Sequence, residues 1–340
     1  MARAPFGIGG VEVAPGERKL VNLPMSALSN RTPMALPVSV THARRDGPVL
    51  FVSAALHGDE VNGVAICRRL LASKALAIAS GTLLVVPIVN NFGFISHSRY
   101  LPDRRDLNRS FPGSERGSLA AQLANVFFTE VVARSDYGID LHSAAIHRSN
   151  LPQIRVDGGA LAAMRLARAF GAPIIVPSPP RDGSLRKTAG ERGVPVIVYE
   201  GGEGLRVDEY SVRIGARGVL RVLAELDMVR RPRGGSGTRA SAMALGSRWV
   251  RAEESGLFHP LKSIGDQVVA GERIGAIGDP YGEMECPVKA ASAGIIIGRT
   301  NIPAVNQGDA LFHIAAVEDA PRLHEHFGSA ERQLDEDEIL

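Results

Sequence analysis

The sequence predicts an α/β protein followed by a small all-β segment, and two observations carry this prediction. Short apolar runs alternate with helix-like segments along the first two thirds of the chain, and these runs are continuous rather than alternately polar. Continuous apolar strands are typical of a mainly parallel sheet that helices cover on both faces. From about residue 241 no helical pattern remains, and Gly or Pro separates short β-rich runs every few residues.

Each predicted strand of the first part is an apolar run of ordinary strand length. These strands lie at 47–56, 81–89, 136–141, 172–177 and 194–200. The helices between them have recognisable ends: Ser118 and Asp208 are suited to cap helix N-termini, and Gly171 is suited to end a helix. Strands and helices alternate up to about residue 228, which indicates an α/β domain.

A segment rich in Gly, Pro, Ser and Arg follows the last helix and is typical of a connector. We therefore predict an α/β domain over 1–230, a linker over 231–240 and an all-β domain over 241–318. The remaining residues, 319–340, form an acidic tail with five carboxylates in the last ten residues, and we expect this tail to be solvated.

The composition is that of a soluble globular protein, with 45% hydrophobic and 22% charged residues. The formal charge is only +3, from 39 basic and 36 acidic side chains, so nothing suggests the clustered basic face of a nucleic-acid-binding protein. The amino terminus has no apolar core of signal-peptide length, and no apolar run in the sequence is long enough for a membrane span. We expect a cytoplasmic protein without a membrane partner, and the sequence leaves open whether it forms a homo-oligomer.

The first candidate site residues are His57 and Glu60, which have H-x-x-E spacing directly after a predicted strand. In open α/β sheets, ligands collect outside the carboxyl ends of the strands, so this position favours a metal site. A Glu in the first turn of a helix also stabilises the helix dipole, and this structural explanation stays open for the two residues alone.

His142 adds a third candidate ligand, because it follows another apolar strand, again at its carboxyl end. Two His and one Glu are a protein ligand set of catalytic zinc sites, which leave a fourth position for water. Asp140, two residues earlier, is a candidate partner for the ring nitrogen of His142 that does not face the metal.

Glu200 lies at the end of a third apolar strand, before two glycines that leave room for a ligand. A carboxylate that faces a zinc-bound water can take its proton and hand it to the leaving nitrogen. The alternative is a structural role in an ion pair with a neighbouring Arg.

The loop at 98–117 carries four arginines between residues 99 and 109, together with Asn108. Guanidinium groups bind carboxylates through two parallel hydrogen bonds, and an Asn adds a neutral donor, so the loop favours an anion site. A solvated charged loop is the alternative.

These motifs resemble those of the succinylglutamate desuccinylase and aspartoacylase family, part of the zinc carboxypeptidase superfamily. The resemblance rests on HGDE at 57–60, DLNRSFPG at 106–113, DLH at 140–142 and the strand-end Glu200, in the family's order. It spans about residues 45–318, because the C-terminal β segment is also similar to that family's. It implies a zinc-carboxypeptidase-like mixed sheet, one Zn²⁺ bound by three side chains, and Glu200 as general base and acid. The implied ligands are His57, Glu60 and His142.

The resemblance also implies residues that hold the substrate: Asn108, Arg109 and Arg186. The arginine that polarises the scissile carbonyl corresponds to Arg99. Extra residues between this position and the DLNR motif leave Arg104 and Arg105 as alternatives.

Three functional hypotheses follow. The first is a zinc-dependent amidohydrolase that removes the acyl group from an N-acyl amino acid or a related small acylated amine. The second is a carboxypeptidase-like enzyme that acts on peptide C-termini with the same zinc and Glu. The third is a carrier, because the C-terminal segment resembles the barrel-sandwich hybrids of biotinyl and lipoyl domains. The turn that would carry a modified Lys instead contains Met284, and Lys289 is displaced from it, which argues against the carrier.

Overall fold

The computed structural model describes residues 3–27, 29–230 and 241–317. The linker predicted at 231–240 and the tail predicted at 319–340 lie outside the described residues. Within the described residues, no helix is both long and apolar enough to span a membrane.

The first part of the chain contains strands and helices in alternation. Its strands are β1 (Phe6–Ile8), β2 (Val11–Val13), β3 (Glu17–Pro24), β4 (Ala35–His42), β5 (Arg45–Ala54), β6 (Ser80–Val86), β7 (Tyr137–His142), β8 (Arg148–Val156), β9 (Ile174–Pro177) and β10 (Val196–Gly202). Its α-helices are α1 (Asn62–Ala72), α2 (Asn91–Ile95), α3 (Leu119–Glu130), α4 (Leu161–Phe170), α5 (Leu185–Glu191) and α6 (Glu209–Glu225). Short 3₁₀ turns lie at Leu107–Arg109 and Val132–Arg134.

The described residues after 240 form strands only. These strands are β11 (Ala242–Arg251), β12 (Gly256–Pro260), β13 (Gln267–Val268), β14 (Arg273–Gly278), β15 (Glu285–Lys289), β16 (Gly294–Thr300), β17 (Ala304–Val305) and β18 (Ala310–Val317). Lys289 pairs with Arg273 at the end of β15, away from the turn between β14 and β15. The hairpin tip therefore presents no lysine of the kind that a carrier domain modifies.

Twelve strands form one mixed sheet, in the order β13-β16-β18-β11-β9-β8-β10-β7-β5-β6-β4-β3. In its middle, β10, β7, β5 and β6 are successive parallel neighbours. The pairs at both ends of the sheet are antiparallel. The predicted α/β class is confirmed. The parallel strands β5, β6, β7, β9 and β10 correspond to predicted apolar runs, whereas β8 and β11, which each pair in parallel with β9, do not.

Helices cover both faces of the central strands. Leu50 and Leu83 face one buried cluster, which also contains residues of α1, α4 and α6. Phe51 and Leu84, the next residue on each strand, face a second cluster with residues of α3 and α5. Successive strand residues point to opposite faces, so a strand that is apolar at every position satisfies both clusters.

The predicted helix ends are present. The Ser118 hydroxyl accepts a hydrogen bond from the Ala121 amide at 3.3 Å, and the Asp208 carboxylate accepts one from Tyr210 at 3.2 Å. Gly171 ends α4 with φ of 68°, a left-handed conformation that glycine adopts without a steric cost. Each predicted strand of the first part corresponds to an observed one, whereas β1, β2, β3, β4 and β8 were not predicted from the sequence.

The strands after residue 240 are continuous with the α/β sheet. β11 pairs with β9, and β16 pairs with both β18 and β8, so β8, β9, β11, β18 and β16 close into a ring of five strands. The interior of this five-strand ring is apolar and receives a residue from every strand: Leu151, Ile174, Val176, Ala244, Ile295, Ile297 and Ala315. The division into two domains stays a prediction, since one sheet crosses the predicted boundary.

Candidate active site

The strand ends that carry the candidate residues lie side by side. β10, β7 and β5 are parallel neighbours, so their carboxyl ends meet at one edge of the sheet. His142 is the last residue of β7 and is the register partner of Glu200 on β10. β5 ends at Ala54, and the loop from there to α1 carries His57 and Glu60. The fold therefore brings these four side chains to one place.

The Glu60 carboxylate lies between two imidazole rings. Nδ1 of His57 is 2.7 Å from Oε1, and Nδ1 of His142 is 2.7 Å from Oε2. All three side chains are buried, and one ligand atom from each lies within 4.8 Å of the others. Two imidazole nitrogens and a carboxylate are a donor set that Zn²⁺ prefers, so the chemistry of these residues fits a zinc ion.

A further carboxylate orients each ring. Oδ2 of Asp140 lies 2.7 Å from Nε2 of His142, and the other oxygen of Asp140 accepts a hydrogen bond from the Ser53 hydroxyl at 2.8 Å. Oδ1 of Asp106 lies 3.2 Å from Nε2 of His57. A carboxylate on the outer nitrogen fixes the ring and directs its inner nitrogen toward a metal. The sequence predicted this contact for Asp140 and missed it for Asp106.

The charges around Glu60 favour a cation at this point. Burial would raise the pKa of Glu60, but His57 and His142 hold it well below its usual range. Burial would lower the pKa of His142, but Asp140 and Glu60 raise it well above its usual value. The pKa of His57 is raised in the same way by Glu60 and Asp106 against the effect of burial. Positive charge on the two rings is thus stabilised by three carboxylates, a field that also suits a divalent ion.

Arg99 joins this cluster. Its two terminal nitrogens lie 3.2 Å from Oε1 of Glu60 and 3.2 Å from Oδ2 of Asp106. Arg104 and Arg105 are exposed, and neither lines the cavity at the site. Of the three arginines that the sequence left as alternatives, the structure places Arg99 beside the candidate ligands.

Glu200 is held by two side chains of β8. Nδ2 of Asn150 donates to Oε2 at 2.7 Å, and Nε of Arg155 lies 3.0 Å from Oε1. Residues five apart face opposite sides of a regular strand, but the register between β8 and β10 shifts between Glu200 and Gly202. This irregularity lets Asn150 and Arg155 face the same carboxylate. The ion pair that the sequence offered as an alternative role for Glu200 is therefore present, although the carboxylate also lines the cavity.

A cavity of about 480 Å³ opens above these groups. Two glutamates line it, Glu60 and Glu200, against six arginines: Arg99, Arg109, Arg148, Arg155, Arg181 and Arg186. Asn108 also lines the cavity, and its side-chain oxygen accepts a hydrogen bond from the Leu185 amide at 2.9 Å. That bond occupies the oxygen and leaves the NH₂ group as the donor for a ligand.

Arg186 is the sequence-predicted residue with the least satisfied side chain. Nη2 donates to the Ser178 hydroxyl at 3.3 Å and to the carbonyl of Pro179 at 3.2 Å, whereas Nη1 is buried and has no partner among the described residues. Burial lowers the pKa of Arg186, and the positive charge of Arg155 adds to this effect. A guanidinium in this state gains from an anion in the cavity.

The structure adds a residue from the C-terminal strands to the site. Trp249 on β11 lines the cavity and is half-buried. His97 and His147, which flank the motifs, do not line the cavity. A single Trp carries no sequence signal of its position, because its strand reaches the site only through the pairing of β11 with β9.

Comparisons with known proteins agree with this geometry. Residues 46–226 match the family model described as the succinylglutamate desuccinylase/aspartoacylase catalytic domain. A curated relative, the N-alpha-acetyl-L-2,4-diaminobutyric acid deacetylase of Halomonas elongata, is 30% identical over 300 residues, which cover 83% of this chain and 86% of the relative. The chain therefore belongs to the succinylglutamate desuccinylase/aspartoacylase family, a family of hydrolases that act on amide bonds.

Solved structures share the fold over most of the chain. A succinylglutamate desuccinylase/aspartoacylase from Rhodobacter sphaeroides superposes with a TM-score of 0.77 at 26% identity, covering 88% of this chain and 96% of that one. The product-bound ectoine utilization protein from Ruegeria pomeroyi gives a TM-score of 0.78 at 24% identity, covering 88% of this chain and 95% of that one. The predicted family is confirmed.

Proposed function

We propose that this protein is a cytoplasmic zinc-dependent deacylase that hydrolyses the amide bond of an N-acyl amino acid or a related small acylated amine. The observation that carries the proposal is the cluster of His57, Glu60 and His142 in one cavity with Glu200 and with several arginines that have no carboxylate partner among the described residues. His57, Glu60 and His142 would hold one Zn²⁺. When bound there, zinc would lower the pKa of a coordinated water and polarise the substrate carbonyl.

Glu200 is the proton carrier in this proposal. Its carboxylate would accept a proton from the attacking water and then donate it to the amide nitrogen as the carbon–nitrogen bond breaks. Asn150 donates a hydrogen bond to Oε2 and Arg155 forms an ion pair with Oε1, and these contacts orient the carboxylate while other lone pairs stay available. The ion pair of Glu200 and its catalytic role are therefore compatible.

Arg99 is the residue that would stabilise negative charge on the carbonyl oxygen. Its guanidinium lies against the ligand Glu60 and is fixed by Asp106, so it is oriented before the substrate arrives. Fixed donors aimed at a developing oxyanion stabilise the transition state more than the ground state.

Asn108, Arg109 and Arg186 would hold the carboxylate of the amino acid. The side-chain oxygen of Asn108 accepts a hydrogen bond from the amide of Leu185, the first residue of α5. This bond holds Asn108 next to Arg186, the following residue of the helix. The Arg109 guanidinium makes no ion pair among the described residues and bonds to the Asn108 carbonyl. The Halomonas elongata relative is named for an N-acetylated amino acid, which supports the same substrate class here.

A carboxypeptidase-like activity on peptide C-termini is the second candidate. The same zinc ligands and Glu200 would serve it, but a peptide needs an open groove for its remaining residues. Trp249 of β11 and Arg148 of β8 line the cavity side by side, with the Arg148 guanidinium carbon 5.4 Å from the indole centroid, which favours a small substrate.

A hydrolysis screen tests the proposal. The zinc-loaded protein is incubated with N-acetyl, N-succinyl and longer N-acyl amino acids, and with peptides that end in the same amino acids, while free amine is measured. We expect release of amine from at least one N-acyl amino acid and none from the Glu200→Gln variant. Turnover of the peptides alone would replace the proposal with the carboxypeptidase-like activity.

A further inference from the structure

Asn62 is a fully buried polar side chain at the start of α1, two residues after Glu60. Its Nδ2 donates to the Gly201 carbonyl at 3.1 Å and to the Glu203 carbonyl at 3.4 Å. Its Oδ1 accepts a hydrogen bond from the Asp208 amide at 2.8 Å. Both N–H groups and the oxygen of this amide therefore have partners, and all of the partners lie at the end of β10 or in the loop from there to α6.

The side chain of Asn62 serves this distant segment rather than its own helix. Asn side chains near a helix start often cap that helix, but α1 has no side-chain cap. The register pairs between β10 and β7 end with Glu200 and His142, so the Gly201 carbonyl lies beyond this parallel ladder. Asn62 holds that carbonyl from α1 instead.

Gly202 permits the close approach of Asn62. Its φ is 74°, and a Cβ at this position would lie 2.5 Å from Nδ2 of Asn62 and 3.1 Å from Cβ of Asp208. Its carbonyl also accepts a hydrogen bond at 3.1 Å from the amide of Ala144, two residues after His142. The end of β10 is thus fixed between α1 and the loop after β7, the two segments that adjoin the candidate ligands.

The backbone at Glu200 determines where its carboxylate lies relative to the ligand cluster. Asn150 and Arg155 hold the carboxylate from β8. Asn62 adds a connection to the loop that carries Glu60, because it follows this ligand by two residues and bonds to the residues directly after Glu200. We propose that Asn62 is a positioning residue that sets the distance between the Glu200 carboxylate and the ligand cluster. The inference rests on the proposed function, in which Glu200 carries the proton.

Kinetics of variants on both sides of the contact test the inference. Asn62→Ala should lower kcat between about tenfold and about 100-fold, the effect of a small displacement of a reacting group, while KM and zinc content change by less than about twofold. Gly202→Ala forces a methyl group against Asn62 from the other side and should also lower kcat. In the double variant, the shorter side chain at position 62 leaves room for this methyl group. The loss of kcat should therefore be smaller than the product of the two single losses.

Ser80→Ala is the control that separates positioning from a general loss of stability. Ser80 is buried at the amino end of β6, opposite to the edge of the sheet that carries the ligands, and its hydroxyl donates to the Asp227 carbonyl at 2.7 Å. We expect Ser80→Ala to lower stability and to keep kcat within about twofold of the wild type. Unchanged kcat in Asn62→Ala, an effect on KM alone, or an equal fall of kcat in Ser80→Ala overturns the positioning role.

Hydrogen exchange of the metal-free, full-length protein keeps the test independent of turnover. Peptides that cover residues 201–208 contain the Asp208 amide, which donates to Asn62. Asn62→Ala should speed exchange in these peptides about tenfold or more, whereas Ser80→Ala should not. Gly202→Ala takes the place of Asn62→Ala if the latter does not fold, and the same increase is expected.

Exchange over 201–208 that stays at the wild-type rate in these variants overturns the connection. Failure of the deacylase proposal is a separate result, because the wild type would then hydrolyse no N-acyl amino acid while the exchange measurement still gives its answer.

Discussion

The Nε atom of Arg155 lies 3.0 Å from Oε1 of Glu200, so the proposed proton carrier is held by an ion pair from the neighbouring strand. The pair crosses from β8 to β10 and is partly screened from solvent. A carboxylate that must accept and release a proton needs a fixed direction, and Arg155 supplies one without touching the ligand cluster.

Replacing Arg155 should therefore lower turnover more than substrate affinity. Arg155→Met removes the ion pair with Oε1, and we expect kcat to fall about fivefold, the scale of about 1 kcal/mol for a partly exposed ion pair, with KM little changed. Arg155→Lys keeps the charge and should recover part of the loss. Steady-state kinetics with zinc content measured in parallel provide the check. A larger change in KM than in kcat would place Arg155 in substrate binding instead.

Glu200→Gln should keep the fold and the zinc and lose most turnover, because an amide cannot accept the proton of the attacking water. General acid–base groups typically contribute ~10²–10⁴-fold to the rate. Glu203→Gln is the matched control, because Glu203 lies three residues after Glu200 but does not line the cavity. Wild-type turnover in Glu200→Gln would remove this residue from the mechanism.

If His57, Glu60 and His142 bind zinc as proposed, the protein should hold about one zinc per chain, and His57→Ala and His142→Ala should each lose it. Asp140→Ala and Asp106→Ala each leave a ring without its outer carboxylate, and we expect affinity for zinc to fall ~10–100-fold rather than vanish. Metal analysis after dialysis gives the measurement, with His97→Ala as a control outside the cavity. Full zinc content in both ligand variants would contradict the assignment.

The arginine assignments predict opposite kinetic effects. Arg109→Lys should raise KM, because an ammonium cannot reproduce the two-donor fork that matches a carboxylate. Replacing Arg99 should mainly lower kcat, because the negative charge that Arg99 would stabilise on the carbonyl oxygen is greatest in the transition state. A substrate whose carboxylate is converted to an amide should be poor for the wild type and no worse for the Arg109 variant. An unchanged kcat/KM for the amide would show that this loop does not bind a carboxylate.

The ring of His313 is buried and stacks on the indole of Trp249, with centroids 4.6 Å apart. We expect its ionisation to make the stability of the protein depend on pH. Burial, with a contribution from the charge of Arg155, lowers the pKa of His313 to about 4 from the usual value of 6.5. Between about pH 6.5 and about pH 4, His313 is protonated in the unfolded chain but neutral in the folded protein. The free energy of unfolding therefore falls as the pH falls through this window. We expect a loss of about 2 kcal/mol at about pH 4.5, absent in His313→Phe, which keeps a ring against Trp249. Denaturant unfolding of the metal-free wild type and of His313→Phe at several pH values measures this loss of stability. The same pH dependence of stability in both proteins would refute the role of His313.

The strand ends and the clustering of His57, Glu60 and His142 could be predicted from the sequence because each depends on a local pattern. A continuous apolar run ends at His142 or shortly before His57, and parallel strands present their carboxyl ends at one edge. No knowledge of the strand order is needed to expect these residues near one another. The caps at Ser118 and Asp208 are local for the same reason.

The contacts of Asn150 and Arg155 with Glu200 could not be predicted from the sequence, because both residues lie on β8, a strand that the sequence did not predict. That strand contains polar side chains, Pro152 and a register shift, and it shows neither a continuous nor an alternating apolar pattern. Asn150 and Arg155 reach the site only through its antiparallel pairing with β10. Asp106 was missed for a different reason: the arginines of its loop suggested an anion site, and its own carboxylate instead binds His57 and Arg99.

The five-strand ring has a consequence for any attempt to produce the α/β part alone. A fragment ending at residue 230 would lack β11, β16 and β18, and would expose the pairing edge of β9 together with the apolar interior at Leu151, Ile174 and Val176. An open apolar edge of this kind is a template for intermolecular strand addition. The truncated protein should therefore accumulate as insoluble aggregate during expression. In the chain through residue 317, β11 pairs with the edge of β9 and prevents this strand addition.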